Sequence, residues 1–480
     1  FDFQKDAPTF PALAQIKLES PSKGTCILEV DPERLHIDSV KVAGKSVPFA
    51  IERGRLVVQA DNASALDINY HVKPTDDVKG YGLIRDQHAG RLWTLTWPYN
   101  TGALFPSTSH PDDGATARVT VHVKAGQQAV GAGKAQKDGS FHLDKPVPAY
   151  AIAFTTGKLT DMHTAVVDGY EARSVGLGSE IPAETRKAMR ENTAAAMAFF
   201  SKKLGAYRFG TTMNIVEIKS TYGGMEHAGN IAIGVGQSKA DTIEACVHET
   251  AHHWFGDGLR IKHWGELWMS EGFTNYMTWR FFGHRSVQEG GGDDAMFRYF
   301  DDAKDELRGQ LEHGIAQPLD EPRDTDPEEG LSWVPYMQGA WMLRMLECQI
   351  GTDKLDGLLR AWFQTEKGDA VSTQDFIKFA RKEGIETEPS IEAFFKAWAD
   401  LKHIPGFKDK SKLDGNTATL FLEKKHADQP AMKVPVLLEG AHGEKKMALV
   451  TPGDKLVVDA GFAVKSLTWD PNRTLLCDVE

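Results

Sequence analysis

Two histidines and a glutamate near the middle of the chain have the spacing of a metal site. His248, Glu249 and His252 lie within the run Val-His-Glu-Thr-Ala-His-His. On a helix, residues four positions apart differ by ~400° of rotation, so His248 and His252 project from the same face. Two neutral imidazoles suit zinc, and a carboxylate beside the first ligand can act as a general base without binding the metal. The spacing therefore predicts a catalytic zinc centre.

Chance is the alternative explanation of this pattern. With 17 histidines among 480 residues, a random match to His-Glu-x-x-His is expected roughly a few hundredths of a time. The neighbouring His253 lies five positions beyond His248, ~140° away from the ligand face, so we expect it to pack or to face solvent.

A catalytic zinc ion needs a third protein ligand and an open position. Glu271 lies 19 positions beyond His252, within Trp-Met-Ser-Glu-Gly-Phe on a second predicted helix. An isolated glutamate usually occupies a solvated helix face. Here Trp268 and Phe273 flank it, which indicates that Glu271 points inward, where an unpaired carboxylate is costly. We therefore predict that Glu271 completes the zinc site.

The helix that would carry the two histidines has recognisable ends. Asp241 and Glu244 have the spacing of a capping box, with Asp in the Ser or Thr position. Neither Pro nor Gly interrupts the segment before Gly256. The sequence therefore predicts one continuous helix through the histidine motif, capped by Asp241.

The composition excludes several classes of protein. The chain has 480 residues, of which 41% are hydrophobic and 25% charged, as in globular proteins of two to four domains. The net charge of −12 argues against a nucleic-acid partner, and no apolar run approaches the ~18–20 residues of a transmembrane helix. Four scattered cysteines without Cys-x-x-Cys indicate neither a disulfide framework nor a thiolate zinc site.

The pattern of apolar residues changes twice along the chain. Short alternating runs predict strands over 10–159, helical spacing begins near Pro182, a strand is expected over 213–218, and helices continue to about Leu401. Alternation returns after Pro405. We therefore predict a multidomain α+β chain with an N-terminal β-sheet domain (1–160), an α+β catalytic domain (161–403) and a small C-terminal β-sandwich (404–480).

Four motifs of this chain resemble those of the zinc aminopeptidase family of aminopeptidase N and leukotriene-epoxide hydrolase, the gluzincin metallopeptidases. They follow one another along the chain in the same order as in that family. Besides the zinc motif and the Glu271 segment, Tyr222-Gly-Gly-Met-Glu-His227 resembles the Gly-x-Met-Glu-Asn motif of the family. Pro335-Tyr-Met-Gln-Gly-Ala340 resembles its Tyr-x-Lys-Gly-Ala segment. The resemblance implies a thermolysin-like catalytic domain. The C-terminal segment is too short for the large helical domain of many relatives, so we expect a short three-domain form, with a second subunit as a candidate partner.

The resemblance also implies a mechanism. One Zn²⁺ per chain, held by His248, His252 and Glu271, would activate a water for which Glu249 is the general base. Tyr336 would stabilise the oxyanion, and Glu226 would bind the free amine of a peptide substrate. Four further residues are implied in substrate binding: Gly223, Gly224, Met225 and His227. The two glycines suit an edge strand that runs beside the substrate.

Several positions depart from the family pattern. His227 and Asp257 stand where Asn is usual, and Gln338 stands where Lys is usual. The place where the family often offers a second Gln or Glu to the substrate amine is occupied by Trp97, with Tyr99 and Asn100 nearby. Glu226 therefore either binds the amine alone or shares it with Asn100, and a stacking role for Trp97 or Tyr99 is equally open.

Alternative functions stay open at this point. A thermolysin-like endopeptidase shares the zinc motif but needs no amine anchor, which Glu226 argues against. A catalytically inactive relative that acts as a binding scaffold would have lost Glu249 or Tyr336, and epoxide hydrolysis cannot be read from zinc ligands. Met225 and Tyr222 are candidates for the first side-chain pocket. The first residue is Phe1, as removal of an N-terminal segment would leave, so cytoplasmic, periplasmic and secreted locations are all compatible.

Overall fold

A computed structural model of the chain describes residues 1–20, 24–87, 90–159, 162–176, 180–219, 223–289, 291–321 and 332–480. It divides into two compact units. The first comprises Phe1–Trp264 with Arg360–Val371, and the second comprises Gly265–Leu359 with Ser372–Glu480. Each unit is described by itself.

The N-terminal part of the first unit consists of short strands that bury every second residue. In Ala65–Val72, for example, Leu66, Ile68, Tyr70 and Val72 are all buried. The strands of the described residues in this part pair in the orders β1-β7-β3-β4, β2-β6-β5, β11-β14-β9-β8 and β10-β13-β12. They are β1 (Phe10–Lys17), β2 (Thr25–Glu29), β3 (Leu35–Val42), β4 (Lys45–Ser46), β5 (Phe49–Glu52), β6 (Arg55–Gln59), β7 (Ala65–Val72), β8 (Gly82–Asp86), β9 (Arg91–Leu95), β10 (Gly114–Thr120), β11 (Gln128–Gly131), β12 (Lys134–Ala135), β13 (Ser140–Pro148) and β14 (Phe154–Gly157).

A mixed sheet follows, in which the described strands have the order β15-β16-β17-β19-β18. The strands β16, β17 and β19 are parallel, and the short β18 pairs antiparallel to β19 at the edge. The elements are β15 (Thr164–Val167), β16 (Tyr170–Val175), α1 (Ala183–Leu204), β17 (Thr212–Ile218), β18 (Gly224–Met225), β19 (Asn230–Gly234) and α2 (Lys239–Ala251), followed by β20 (Arg260–Ile261), which pairs with β21 (Ala370–Val371). This sheet places β18 beside α2, which carries the histidine motif.

The start of α2 differs from the prediction. Ser238 is the N-cap, and its side chain accepts a hydrogen bond from the backbone N–H of Asp241 at 3.2 Å. The predicted cap at Asp241 is therefore wrong. Ser238 caps the helix instead, because its side chain accepts the hydrogen bond from the N–H of Asp241, and the helix begins three residues earlier than predicted. Asp241 instead lies in the first turn, where its negative charge interacts favourably with the helix dipole.

The second unit begins with helices. They are α3 (Trp268–His284), α4 (Asp293–Glu312), α5 (Val334–Ile350), α6 (Thr352–Glu366), α7 (Thr373–Lys382) and α8 (Ile391–Trp398), and α6 continues into the first unit. Helices α3 and α5 approach each other at Gly272 and Gly339. A Cβ atom on Gly272 would lie 2.7 Å from the Cα of Gly339, so neither position has room for a side chain.

The C-terminal strands surround their own apolar core, which includes Phe407, Leu420, Val436 and Val450. The strands pair in the orders β25-β22-β30, β23-β24-β28 and β27-β26-β29. They are β22 (Gly406–Asp409), β23 (Lys412–Asp414), β24 (Thr417–Leu420), β25 (Leu422–Lys424), β26 (Val434–Gly440), β27 (Lys445–Val450), β28 (Leu456–Asp459), β29 (Val464–Trp469) and β30 (Asp478–Val479).

The predicted architecture is confirmed: an N-terminal β region, a region of mixed sheet and helices, and C-terminal strands. The domain boundaries near 160 and 403 stay predictions. None of the helices in the described part of the chain combines the length and the apolar character needed to cross a bilayer.

Candidate active site

The two histidines of α2 present their ring nitrogens to a common point. The Nε2 atoms of His248 and His252 lie 3.1 Å apart. The Nδ1 of His252 lies 2.9 Å from the carbonyl oxygen of Phe255. Because a carbonyl only accepts, Nδ1 must carry the proton, which leaves a lone pair on Nε2. His252 is the C-cap of α2 and keeps helical backbone angles, so the spacing of four residues still aligns the two rings.

Glu249 joins this pair. One ligand atom from each of His248, Glu249 and His252 lies within 4.8 Å of the others. Across the described parts of the chain, no other set of three His, Cys, Asp or Glu side chains brings its ligand atoms this close. His252 and Glu249 are buried and His248 is half-buried. The three side chains thus bring two imidazole nitrogens and a carboxylate oxygen close enough together to bind a cation.

The carboxylate of Glu249 packs directly on the backbone of Gly224. A Cβ atom at Gly224 would lie 2.3 Å from Oε1, 2.6 Å from Cγ and 2.7 Å from Cδ of Glu249. Any residue with a side chain would therefore displace this carboxylate. At the preceding Gly223, the atom nearest to an added Cβ would be Oε1 of Gln237, at 3.7 Å, so that position has room.

The edge strand β18 is held to β19 from one side. The carbonyl oxygen of Gly223 accepts hydrogen bonds from the backbone N–H of Gly234 at 3.0 Å and from Nε2 of Gln237 at 2.7 Å. In an antiparallel pair the bonding residues alternate, so the N–H and C=O of Gly224 point away from β19. Nothing local in the sequence marked Gln237 for this role, since the contact depends on strand pairing.

The residues that follow Gly224 are buried. Met225, Glu226 and His227 expose 5%, 4% and 2% of their surfaces. Burial lowers the pKa of His227 from 6.5 to about 3, with a smaller contribution from His253. The carboxylate of Glu226 is thus held in surroundings from which water is largely excluded, where its attraction for a cation is strong.

The carboxyl group of Asp257 interacts electrostatically with the carboxylate of Glu226. It is fully buried, and burial raises its pKa well above the usual range, with a further rise from the neighbouring Glu226 carboxylate. Its Oδ2 is 3.9 Å from Nε2 of His253, beyond hydrogen-bonding distance. Burial thus disfavours the charged form of Asp257, which stands at a position where Asn is usual.

His253 packs in the interior, one of the two outcomes expected for it. Its Nδ1 lies 2.9 Å from the carbonyl oxygen of Glu249, and its Nε2 accepts a hydrogen bond from the N–H of Gly229 at 2.8 Å. Burial lowers its pKa from 6.5 to about 3. The helical angle correctly separated His253 from the two paired rings, but the contact with Gly229 had no sequence signal.

Glu271 and Tyr336 meet within the second unit. The hydroxyl of Tyr336 donates a hydrogen bond to Oε1 of Glu271 at 2.9 Å. Glu271 is buried, as its place between two aromatic residues indicates. The close approach of Gly272 and Gly339 brings the two helices near enough for this bond. Two sequence motifs that are 65 positions apart thereby form one polar pair.

Among the remaining sequence candidates, Trp97, Tyr99 and Gln338 are held by contacts with other parts of the protein. Trp97 and Tyr99 both contact the ring of Trp264, with centroid separations of 6.4 Å and 5.0 Å. Gln338 is fully buried, and its Nε2 donates to the carbonyl oxygen of Trp398 at 2.7 Å. Asn100 precedes a short 3₁₀ turn and makes no side-chain capping bond there. Tyr222 lies outside the described residues.

Residues 189–398 match the peptidase family M1 domain. A probable aminopeptidase 2 from Sulfurisphaera tokodaii is 24% identical over 93% of this chain and 59% of its own length. Aminopeptidase B from Rattus norvegicus is 25% identical over 68% of this chain and 52% of its own. The chain therefore spans between one half and three fifths of the length of these two curated relatives.

Two solved structures share the fold. An M1 zinc metallopeptidase from Deinococcus radiodurans is similar over 82% of this chain and 89% of its own, with a TM-score of 0.64 and 21% identity. Aminopeptidase A from Legionella pneumophila, in complex with aspartic acid, is similar over 98% of this chain and 57% of its own, with a TM-score of 0.77 and 15% identity. The matched domain, the relatives and the four motifs agree that residues 189–398 of this chain carry a peptidase family M1 domain.

Proposed function

We propose that this chain is a zinc aminopeptidase that hydrolyses the N-terminal residue from peptides. The observation that carries the proposal is the pair of imidazole nitrogens 3.1 Å apart beside the buried Glu249. The names of the relatives support the same activity, since several are aminopeptidases. A variant of the Deinococcus radiodurans enzyme has been solved with a Tyr-Ser-Ala substrate bound.

The donor set fits zinc. Two imidazole nitrogens that bind one tetrahedral zinc ion at ~2.0–2.1 Å lie about 3.3 Å apart, close to the 3.1 Å between His248 and His252. The bond from His252 to Phe255 orients a lone pair toward the same point, as outer hydrogen bonds of ligating histidines do. Glu271 is proposed as the third ligand from its place in the family motif. Bound zinc would supply a positive charge that polarises the scissile carbonyl and acidifies the attacking water.

Glu249 is the proposed general base. Its carboxylate would accept a proton from the attacking water and later pass it to the leaving amine. The contact with Gly224 supports this role, because it limits how far the carboxylate can move. A group that transfers protons must stay within hydrogen-bonding reach of its target, and packing against backbone provides that constraint.

Glu226 is the proposed anchor for the substrate amine. Its carboxylate would pair with the α-ammonium group and thereby set how many residues enter the site before the cut. The N–H and C=O of Gly224, which face away from β19, are suited to pair with the backbone of an extended peptide. Gly223, Met225 and His227 would support or line this position.

Tyr336 is the proposed donor to the oxyanion of the tetrahedral intermediate. Its hydroxyl donates to Oε1 of Glu271 at 2.9 Å, which places the phenol beside the proposed third zinc ligand. Its single proton would turn from Glu271 to the oxyanion as negative charge develops there, which would stabilise that charge.

An experiment separates this function from the closest alternative, a thermolysin-like endopeptidase. Fluorogenic aminoacyl amides are offered with a free or an acetylated N-terminus, with and without a chelator. We expect cleavage of the free form, loss of activity on chelation, and recovery with Zn²⁺. Glu249→Gln should retain bound zinc and lose nearly all activity. Equal cleavage of the free and acetylated substrates would instead support an endopeptidase.

A further inference from the structure

His253 connects the helix of the metal site to the loop of the amine anchor. Its ring lies between the carbonyl oxygen of Glu249, at 2.9 Å from Nδ1, and the backbone N–H of Gly229, at 2.8 Å from Nε2. Gly229 is three residues beyond Glu226. One side chain therefore spans the distance from the backbone of the proposed general base to the loop that presents the proposed amine anchor.

The end of α2 explains why a side chain takes this position. A regular helix would place the backbone N–H of His253 on the carbonyl of Glu249, four residues earlier. The helix ends at Ala251, and this N–H instead bonds the carbonyl of Thr250 at 3.3 Å. The ring of the same residue reaches the Glu249 carbonyl, which is one of the acceptors that a helix leaves at its C-terminus.

Both bonds are directional and both use one neutral form of the ring. The carbonyl of Glu249 can only accept, so Nδ1 carries the proton, and the N–H of Gly229 can only donate, so Nε2 carries the lone pair. Asp257 is too far from Nε2, at 3.9 Å, to compete for it. The ring is fully buried and packs against the aromatic side chains of Tyr207 and Phe209.

We propose that His253 is a positioning residue that fixes the spacing between Glu226 and Glu249, and so aligns the first peptide bond of the substrate with the general base. The proposal rests on the aminopeptidase function proposed above. Without the ring, the Gly229 N–H and the Glu249 carbonyl would both lose their partners in a buried place, and the loop would shift relative to the helix. A displacement near 1 Å costs about 100-fold in rate when it misplaces a reacting bond.

The test compares three substitutions at this position. His253→Leu removes both hydrogen bonds and keeps an apolar side chain. His253→Gln offers an amide with one donor group and one acceptor, long enough to reach both backbone groups, whereas His253→Asn is one methylene shorter. Each variant is assayed on a free and an acetylated aminoacyl amide, and zinc content and thermal unfolding are measured beside kcat and KM.

We expect His253→Leu and His253→Asn to lower kcat on the free substrate by about 10- to 100-fold with a smaller change in KM, because Glu226 still binds the amine. The acetylated substrate does not use Glu226, so its slow cleavage should fall less, and the preference for free N-termini should narrow. His253→Gln should restore most of the activity and the preference. Zinc content should be unchanged throughout.

The matched control is Phe209→Leu, which loosens the packing around the same ring without touching its hydrogen bonds. It should lower the unfolding temperature and keep the preference for free N-termini. The proposal is overturned if His253→Asn and His253→Leu keep that preference within about twofold, or if His253→Gln performs no better than His253→Asn. If His253→Leu does not fold, the comparison of Gln with Asn still decides. A wild-type protein with no preference for free N-termini would refute the proposed function itself.

Discussion

Alanine at position 224 tests whether contact with the backbone holds Glu249 in place. Gly224→Ala adds a single methyl group to β18. The backbone angle φ at this residue is not in the left-handed region, so alanine can adopt the conformation without strain. The three atoms nearest to the new Cβ all belong to Glu249, so the effect should come chiefly from the collision with that side chain.

The size of the displacement follows from the distances. The new Cβ would lie 2.6 Å from Cγ of Glu249, whereas two carbon atoms in ordinary contact lie ~3.5 Å apart. The carboxylate must therefore move by about 0.9 Å, or the edge strand must move by the same amount. Because a misplacement near 1 Å costs about 100-fold in rate, we expect kcat to fall by roughly two orders of magnitude. Overpacking of this kind should cost about 1–3 kcal/mol of stability.

The neighbouring glycine provides the control. In Gly223→Ala the nearest atom to the new Cβ is 3.7 Å away, so this variant should leave Glu249 in place and unfold at nearly the wild-type temperature. Because Gly223 is proposed to line the substrate, any effect of this variant should appear in KM and not as a comparable loss of kcat. Both variants are assayed for kcat and KM on an aminoacyl amide, with zinc content measured on the same samples. If Gly224→Ala keeps kcat within about threefold of wild type while folding normally, then either Glu249 is not the general base or its position does not depend on this contact.

Three further changes test other parts of the site. Tyr336→Phe removes the hydroxyl that bonds Glu271 at 2.9 Å, and steady-state kinetics should show a loss of about 10²–10³-fold in kcat with zinc retained; an unchanged kcat would rule out the oxyanion role. Gly272→Ala would place a Cβ 2.7 Å from the Cα of Gly339, so the two helices must separate, and calorimetry should show a lower unfolding temperature together with a lower kcat. His227 has a pKa of about 3 in the folded protein against 6.5 in the unfolded chain, so only the unfolded chain binds this proton as the pH falls below 6.5, and the free energy of unfolding decreases by up to about 1.4 kcal/mol per pH unit until about pH 3. In His227→Asn the free energy of unfolding, measured with a denaturant, should therefore fall less steeply between pH 7 and about pH 4. An identical slope in the variant and the wild type would contradict the buried, neutral state of His227.

The helix-borne part of the site could be predicted from the sequence because its geometry is local. Four residues on a helix always bring two side chains to one face, so His248 and His252 are paired wherever the helix lies. The same rule removed His253 from the ligand set. The exact start of α2 was missed, since Ser238 and Asp241 both favour a cap and only the folded chain shows which N–H each one reaches.

The contacts between segments could not be predicted in this way. That Gly224 lies on Glu249 depends on the register of β18 against β19, and no local pattern encodes a register between two separate segments. The bonds from Gln237 to Gly223 and from Gly229 to His253 are of the same kind. Motif resemblance marked Gly224 as part of a site without giving the reason for it.

The glycines of the motifs distinguish an active enzyme from an inactive, metal-binding relative better than the acidic residues do. Gly224 allows Glu249 to approach the edge strand, and Gly272 lets its helix approach Gly339 so that Glu271 meets Tyr336. A chain with every acid and histidine in place but with a larger residue at either position would still present metal ligands, because helical spacing alone aligns His248 with His252. The proposed general base or the proposed hydroxyl donor would be displaced by about 1 Å, which is enough to remove most of the rate. Such a chain would bind zinc and hydrolyse poorly, so the presence of these glycines supports the proposed enzymatic activity over the alternative of a binding scaffold.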